Sequence, residues 1–383
     1  MMPTLEVSGM AHGGDGVAHR GGKAVFVRGG FPGDVVSVEV IEERKHFERA
    51  VAVAVVEASP HRVEPRCMHV DSCGGCVWQR ADPAAQRSWK REVVESQLAH
   101  IGRLETDVAE TLAVGPDYGY RNRMDFRVLD GRPAMFRRAS RDLVPLAECH
   151  LLVEPLAATF AMLPDLGGVR RITLRAGVAT GEQLAIVDGP APPLPIPAAG
   201  PGHAVIHEVV AGRPFRISGR SFFQVNTSGA EHLVALVAAR LAGAEPRRLL
   251  DLYAGGGLFA ATVAGGDTDV TAVEHDRRAA SDLAHNAPGV TVVHAPVRTA
   301  LAGLQGRFEV VVADPPREGM GRRVVDGIAA LDPERVVLVS CDPAAFARDA
   351  RLLVDRGFAA GPVQPVDLFP HTHHIETLGS FFR

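Results

Sequence analysis

Lysine is nearly missing from this chain. Of 41 basic residues only Lys23, Lys45 and Lys90 are lysines, which leaves 38 arginines, a skew that codon bias alone can produce. No run of about eighteen apolar residues is present, so no segment reads as a membrane-spanning helix. The opening MMPTLEVSGMAHGGDG has no basic stretch followed by an apolar one and does not read as a secretory signal. A soluble, cytoplasmic protein without membrane attachment is expected. Excess positive charge is also lacking: the formal net charge is -4, which excludes unselective attraction to polyanions. There is no internal repeat. Cysteine is scarce, with five in 383 residues, an odd number in a chain too long to need disulfides to supplement its core.

At roughly 100–200 residues per domain, the length implies two or three domains. Residues 1–60 read as short strands between glycine turns: Gly13, Gly14 and Gly16 before Val17-Ala18, Gly21-Gly22 before Ala24–Val27, and Phe31-Pro32-Gly33-Asp34 before the alternating Val36, Val38 and Val40. That spacing predicts a small β-barrel of the oligonucleotide-binding kind. Its six basic and eight acidic residues give RNA binding little support from charge. Residues 61–225 read as a mixed α+β domain, with a helix near Pro83–Ile101 and an exposed proline-rich connection between Pro190 and Pro201. Within it, Tyr118–Arg141 is locally basic, carrying Arg121, Arg123, Arg127, Arg132, Arg137, Arg138 and Arg141 against Asp125 and Asp130.

Residues 226–383 alternate helices and strands. Glu231–Ala242, Arg277–Asn286 and Ala344–Val354 read as helices; Arg248–Tyr253, Val270–Glu274, Val290–Val293, Phe308–Ala313 and Val336–Ser340 read as strands. Continuous Val/Leu runs predict strands buried on both faces, hence a parallel sheet in a doubly wound α/β domain.

Four places in that domain carry chemistry. Gly255-Gly256-Gly257 follows the first strand, where glycines admit a ligand to the backbone, and Glu274 ends the next strand, where a carboxylate can accept from two ribose hydroxyls. Gly255, Gly257 and Ala260 also satisfy the dinucleotide pattern, so an NAD-dependent oxidoreductase is a rival, and a plain tight turn is the bland alternative. Asp314-Pro315-Pro316-Arg317 ends another strand in a stiff platform whose free carbonyls can receive a planar base. Cys341 stands at the next strand end, just before a helix. There the helix terminus and nearby arginines are expected to lower its thiol pKa and make it a nucleophile; an inert buried thiol is the alternative. Glu376 lies in an apolar strand-like segment, where burial raises a carboxylate towards a useful base. Of the nearby His371, His373 and His374 two are adjacent and no HExxH spacing exists, so they do not read as a zinc site.

The other four cysteines, Cys67-x5-Cys73-x2-Cys76 with Cys149 remote, form a three-plus-one set. Tetrahedral zinc or a [4Fe–4S] cluster would suit four thiols, and the layout favours the cluster.

Together these residues resemble the RNA uracil-C5 methyltransferases, which make 5-methyluridine in ribosomal and transfer RNA, over nearly the whole chain. Gly9–Ala18 through Asp34 is similar to the family's RNA-binding TRAM barrel. Cys67, Cys73, Cys76 and Cys149 match the iron–sulfur ligands of the branch that includes the 23S rRNA enzymes. Phe222-Phe223-Gln224-Val225-Asn226 resembles the family's Phe-x-Gln-Val-Asn stretch. The resemblance implies a Rossmann-like methyltransferase domain and S-adenosylmethionine contacts at Gln224, Tyr253, Gly255, Gly257, Glu274 and Asp314. It also implies a nucleophile at Cys341 and a general base at Glu376. Asp367-x-Phe-Pro-His-Thr-x-His-x-Glu376 is the most specific single match. Leu258, Val339, Asp342 and Ala345 depart from the residues common at their positions without removing a reactive group. The implied reaction is methylation of uridine carbon 5 in structured RNA, 23S rRNA favoured and tRNA possible, through a covalent cysteine–uracil adduct, by a monomer. A methyltransferase fold that binds RNA without catalysis is the second alternative. Arg121, Arg123, Arg127, Arg137 and Arg138 are candidate phosphate contacts.

Overall fold

The computed structural model describes residues 2–200, 204–244 and 246–383. Glycine punctuation near the N-terminus does make a closed sheet. Its strands run in the order Thr4–Glu6, Val35–Glu43, Phe47–Glu57, Lys23–Arg28, Gly16–Arg20 and Gly9–Met10. The two edge strands are adjacent in sequence, and the link between them ties the edges together: Val7 N–H donates to Asp34 O and Ser8 N–H to Val17 O. Alternation places Val25, Val27, Val36 and Val38 inside this barrel, where each is wholly buried.

A second sheet of six strands lies in the middle of the chain, in the order Leu143–Pro145, Arg132–Phe136, Arg123–Leu129, Arg171–Ala176, Gln183–Asp188 and Ala198–Ala199. The proline-rich stretch expected to be a plain connection therefore contributes a two-residue strand, Ala198–Ala199, parallel to Gln183–Asp188. Proline permits this because the strand sits at the sheet edge, where a missing donor costs nothing.

The third sheet is the doubly wound one. Thr291–His294, Asp269–Glu274, Arg248–Leu252, Val310–Ala313 and Arg335–Ser340 are parallel neighbours in that order. Glu376–Phe382 then pairs antiparallel with Arg335–Ser340. Gln364–Asp367 and Leu112–Ala113 complete that edge, while Ala359–Ala360 pairs beside Glu376–Phe382. Both faces are covered, so the strands are apolar throughout: Leu249, Leu250 and Leu252 are all wholly buried. Among the described residues no helix is long and apolar enough to cross a membrane.

Local chemistry moved several predicted boundaries. The helix expected from Glu231 begins at Thr227, because the Asn226 side chain caps it by accepting from Gly229 N–H. The strand expected from Phe308 begins at Val310; the buried Phe308 ring lies under the Arg248 guanidinium, 4.1 Å away. The helix at Pro83 ends at Gln97 and widens into a turn over Leu98–Gly102, which Arg103 stops in a left-handed conformation. Its apolar face, with Val93, Val94 and Leu98, packs into the core of the third sheet.

Candidate active site

The chain order of the parallel sheet reverses at Arg248–Leu252, between Asp269–Glu274 and Val310–Ala313. Ligands of such sheets bind outside the carboxyl ends of the strands at that point. Gly255–Gly257, Glu274, Asp314 and Cys341 each stand at or just beyond one of those ends. Glu376 joins them from an antiparallel strand. Since Ser340 pairs with Thr377, the start of that strand lies beside the end of the strand that delivers Cys341.

The glycine turn is built for close approach. Gly257 has φ +90°, and a Cβ there would lie 2.6 Å from Leu283; Gly255 has φ +54° and open space where its side chain would be. Glu274 braces the turn: one carboxylate oxygen accepts from Gly255 N–H at 2.8 Å and the other from Asp276 N–H at 2.5 Å. Each oxygen keeps a further lone pair for a hydroxyl. Below the turn, Asp251 is wholly buried and accepts from Ala260 N–H, and burial pushes its carboxyl up to about 8. Tyr253, at φ 62°, sits near Asp349 and Glu318, and burial raises its phenol to about 12. Gln224 is buried on a loop whose Phe223 packs against Phe215, with ring centroids 5.3 Å apart, and it is the Phe223 ring that a Cβ at Gly256 would meet, at 3.7 Å. Open space above Gly255 with the Glu274 carboxylate beside it suits a nucleoside ligand.

The reactive groups behave differently from expectation in one respect. The Cys341 thiol was expected to be acidified. Burial instead pushes it up to about 12, helped by the Glu376 and Asp314 carboxylates, and Arg317 offsets only part of this. For Glu376 the rise expected from burial is found: it is 3% exposed, its Oε1 has no hydrogen-bond partner, and burial together with Asp314 raises it well above the ordinary value. Burial also raises Asp314, to about 7.

Residues that the sequence did not single out hold this site in shape. Lys90 is wholly buried; its Nζ donates to Asp367 Oδ1 at 2.5 Å and to Phe369 O at 3.1 Å. Gln86, also wholly buried, accepts from His371 N–H through Oε1 and donates through Nε2 to Trp78 O and Ala81 O. Both lie on the helix Pro83–Gln97 and grip the Asp367–Glu376 segment, whose His371 takes a left-handed φ of 66°. Asn226 Nδ2 donates to Leu368 O, and Asn122 Nδ2 donates to Gln224 O. A buried lysine in an otherwise lysine-poor sequence was the one available signal for Lys90. The pairings of Gln86 and Asn122 left none, because their partners lie 285 and 102 residues away.

The basic segment divides. Arg123 donates to Ser221 O, and Arg138 donates to Gly14 O and to Asp15, so both are spent on internal contacts. Arg121 is half-buried with its Nε unpartnered. Arg127, Arg132, Arg137 and Arg141 remain exposed. The expected phosphate patch is therefore narrower, because pairing inside the fold consumed part of it. A cleft of about 410 Å³ gathers Arg28 and Arg49 of the barrel, Arg137, Arg138, the exposed Phe136 and His373.

Cys67, Cys73, Cys76 and Cys149 are half-buried free thiols. Burial, then the charges of Cys149, Cys73 and Cys67, pushes the Cys76 thiol up to about 12. Cys67 Sγ accepts from His69 N–H and Cys73 Sγ from Gly75 N–H, each at 3.4 Å. Amides directed at sulfur suit a soft-metal cluster. Among the described residues no three His, Cys, Asp or Glu side chains converge as ligands of one ion.

Comparison with known proteins follows the same lines. Residues 4–53 match the TRAM domain family. The chain is 32% identical to an RNA methyltransferase of Thermosynechococcus vestitus, with 98% of this chain and 96% of the relative covered. It is 31% identical to the 23S rRNA (uracil(1939)-C(5))-methyltransferase of Erwinia tasmaniensis, over 99% and 96% of the two chains. The structure of the Pyrococcus abyssi tRNA (uracil-54, C5)-methyltransferase in complex with S-adenosyl-L-homocysteine superposes with a TM-score of 0.76. There the identity is 25%, over 98% of this chain and 99% of the other.

Proposed function

The chain belongs to the RNA uracil-C5 methyltransferase family, and we propose that it methylates carbon 5 of a uridine in structured RNA, large-subunit ribosomal RNA favoured, through a covalent adduct with Cys341. One observation carries this reading: Cys341 directly follows Ser340 and Glu376 directly precedes Thr377, its antiparallel partner, so a thiol and a buried carboxyl whose Oε1 has no hydrogen-bond partner stand at neighbouring strand ends. S-adenosylmethionine, when bound, supplies the methyl group as an electrophile. Gly255, Gly257 and Glu274 would hold its nucleoside, with Gln224, Tyr253 and Asp314 around it.

Carbon 5 of uracil is too weak a nucleophile to take a methyl group unaided. The Cys341 thiol gives up its proton to solvent and the sulfur bonds to carbon 6, which breaks the carbon 5–carbon 6 π bond and places its electron pair at carbon 5 as an enolate. Carbon 5 then takes the methyl group as the methyl–sulfonium bond of the donor breaks, leaving a neutral thioether. Glu376 acts here as the carboxylate and takes the proton from carbon 5. The electron pair of that bond restores the carbon 5–carbon 6 double bond, the sulfur–carbon 6 bond breaks, and the thiolate leaves. The raised pKa of Glu376 makes it a stronger base once ionised. The high resting pKa of the thiol means that ionisation belongs to the substrate-bound state, once the uracil and the positive methyl donor stand beside it. The base must leave its stack to reach Cys341, and the cleft with Arg28, Arg49 and Arg137 supports phosphate contact outside the site.

Cys67, Cys73, Cys76 and Cys149 are proposed to hold a [4Fe–4S] cluster, which would tie the loop carrying the first three to the segment of the fourth. The division at residues 60 and 225 and a cytoplasmic location are part of the same proposal. The 23S rRNA named for the Erwinia relative supports ribosomal RNA over tRNA. Retention of Cys341 and Glu376 stands against a catalytically dead RNA binder, and the relatives' names against an NAD-dependent oxidoreductase.

The test is tritiated methyl transfer to separate ribosomal and transfer RNA fractions, with 5-fluorouridine RNA as a trap. Wild type is expected to form a covalent RNA adduct, Cys341→Ala to form none and to methylate nothing, and Glu376→Gln to accumulate adduct. Methylation by the Cys341→Ala variant would overturn the mechanism.

A further inference from the structure

The turn between two barrel strands reaches the loop that carries Cys341. Between its strands Gly9–Met10 and Gly16–Arg20, residues 11–15 extend to the far end of the chain. His12 Nε2 donates to Asp342 Oδ2 at 3.1 Å, across 330 residues of sequence. His12 Nδ1 is buried without a partner, so the ring makes no competing bond. Two residues on, a Cβ at Gly14 would lie 2.7 Å from His373 Cβ, and Gly14 O accepts from Trp78 Nε1 and Arg138 Nη2. One turn thus touches both the residue after Cys341 and a residue three before Glu376.

Asp342 uses its two oxygens for different purposes. Oδ1 accepts from Ala345 N–H at 2.8 Å and caps the helix Pro343–Val354. Oδ2 takes the His12 ring. On the other side of the thiol, Ser340 Oγ donates to Asp342 O at 3.2 Å and closes a short loop around Cys341. Burial works to raise the Asp342 carboxyl, but the His12 bond and the helix amides outweigh it and hold the group below the usual carboxylate range. Cys341 therefore sits in a loop whose backbone is fixed at one end by the helix cap and whose cap is itself held from the barrel.

We propose that His12 is a positioning residue for Cys341: from the barrel turn it holds Asp342, and through Asp342 the direction of the neighbouring thiol. The proposal rests on the reading of Cys341 as the nucleophile. It makes the RNA-binding barrel a working part of the catalytic centre, since the nucleophile loop is complete only with the barrel docked. Misplacing a reacting atom by about 1 Å costs on the order of a hundredfold in rate, so loss of the His12 contact is felt in kcat.

The test uses the full chain with unmodified ribosomal RNA transcript and tritiated methyl donor, together with iodoacetamide labelling of Cys341 read by mass spectrometry. H12A is expected to lower kcat by at least about tenfold while KM for the transcript stays within about twofold. The same variant should change the Cys341 labelling rate by about threefold or more. H12Q, whose amide can donate near the Nε2 position, should restore both. D342S keeps a helix cap and removes the partner of His12, so it should reproduce the H12A loss, and the double variant should be no worse than either single one. A raised KM with unchanged kcat would make His12 an RNA contact and overturn the proposal, as would unchanged kcat and labelling. If wild type transfers no methyl group, the proposed function fails, and the labelling comparison still decides this inference: equal rates in wild type, H12A and D342S overturn it. D342S serves alone if H12A does not fold.

Discussion

Lys90 and Asp367 form a fully buried ion pair that joins the helix Pro83–Gln97 to the end of the strand Gln364–Asp367, with Nζ 2.5 Å from Oδ1. Burial depresses the Lys90 pKa, and the Asp367 charge works against that. Asp367 Oδ2 has no partner, so the carboxylate depends on this one lysine among side chains. Lys90→Met is expected to destabilise the protein by about 3–5 kcal/mol, because it strands a buried charge. Lys90→Met combined with Asp367→Leu should recover most of that loss. Urea unfolding of both variants checks this, and a single variant as stable as wild type would disprove the pair's importance.

The thiol at position 341 is predicted to be unreactive at rest. With burial and the Glu376 and Asp314 carboxylates pushing it up to about 12, its thiolate fraction grows about tenfold per pH unit through roughly pH 7–10. Iodoacetamide labelling of Cys341 in the RNA-free protein should rise at that slope without levelling. Glu376→Gln removes one of the raising charges, so its labelling at about pH 9 should be faster than wild type. A plateau below about pH 8 in wild type would show an acidified thiol and refute this account.

Asp251 gives stability an unusual direction with pH. Its carboxyl rises from 3.8 to about 8 on folding, chiefly through burial. Between those values the folded state holds a proton that the unfolded state has lost, so this group's contribution falls as pH rises across that window. Asp251→Asn cannot ionise, and its amide oxygen can still accept from Ala260 N–H. Calorimetry at about pH 5 and about pH 8 should show a smaller drop in Tm for the variant than for wild type. Parallel drops would mean that Asp251 is ionised in the folded protein.

Anaerobically purified protein is expected to carry about four irons and four sulfides per chain with a broad visible absorption. Cys149→Ser should lose most of that iron and lower Tm, because it unties the remote end of the set. Stoichiometric zinc without iron would replace the cluster with a mononuclear site.

Much of the fold was legible because its signals are local. The Val/Leu runs of Arg248–Leu252 and Arg335–Ser340 announce strands buried on both sides, and the helix Arg277–Asn286 was bounded correctly by its periodicity. The helix Thr227–Leu241 was read as starting four residues late, since its Asn226 cap also serves Leu368 O and looks like part of a motif instead of a boundary. The thiol at Cys341 was read with the wrong sign for a related reason. A helix terminus and arginines are visible nearby in sequence, but the carboxylate that opposes them, Glu376, arrives from a strand that begins 35 residues later.

The sequence by itself determined the residue types, the strand and helix periods and the three-plus-one grouping of thiols, because each depends on near neighbours along the chain. Only the tertiary structure decided which groups face one another. It brought Glu376 to Cys341, put His12 on Asp342, and turned Arg123 and Arg138 inward from a patch that sequence alone would leave exposed. Electrostatic and hydrogen-bond energies depend on separation in space and on burial. Both are set by packing between segments that are distant along the chain, and no local pattern encodes them.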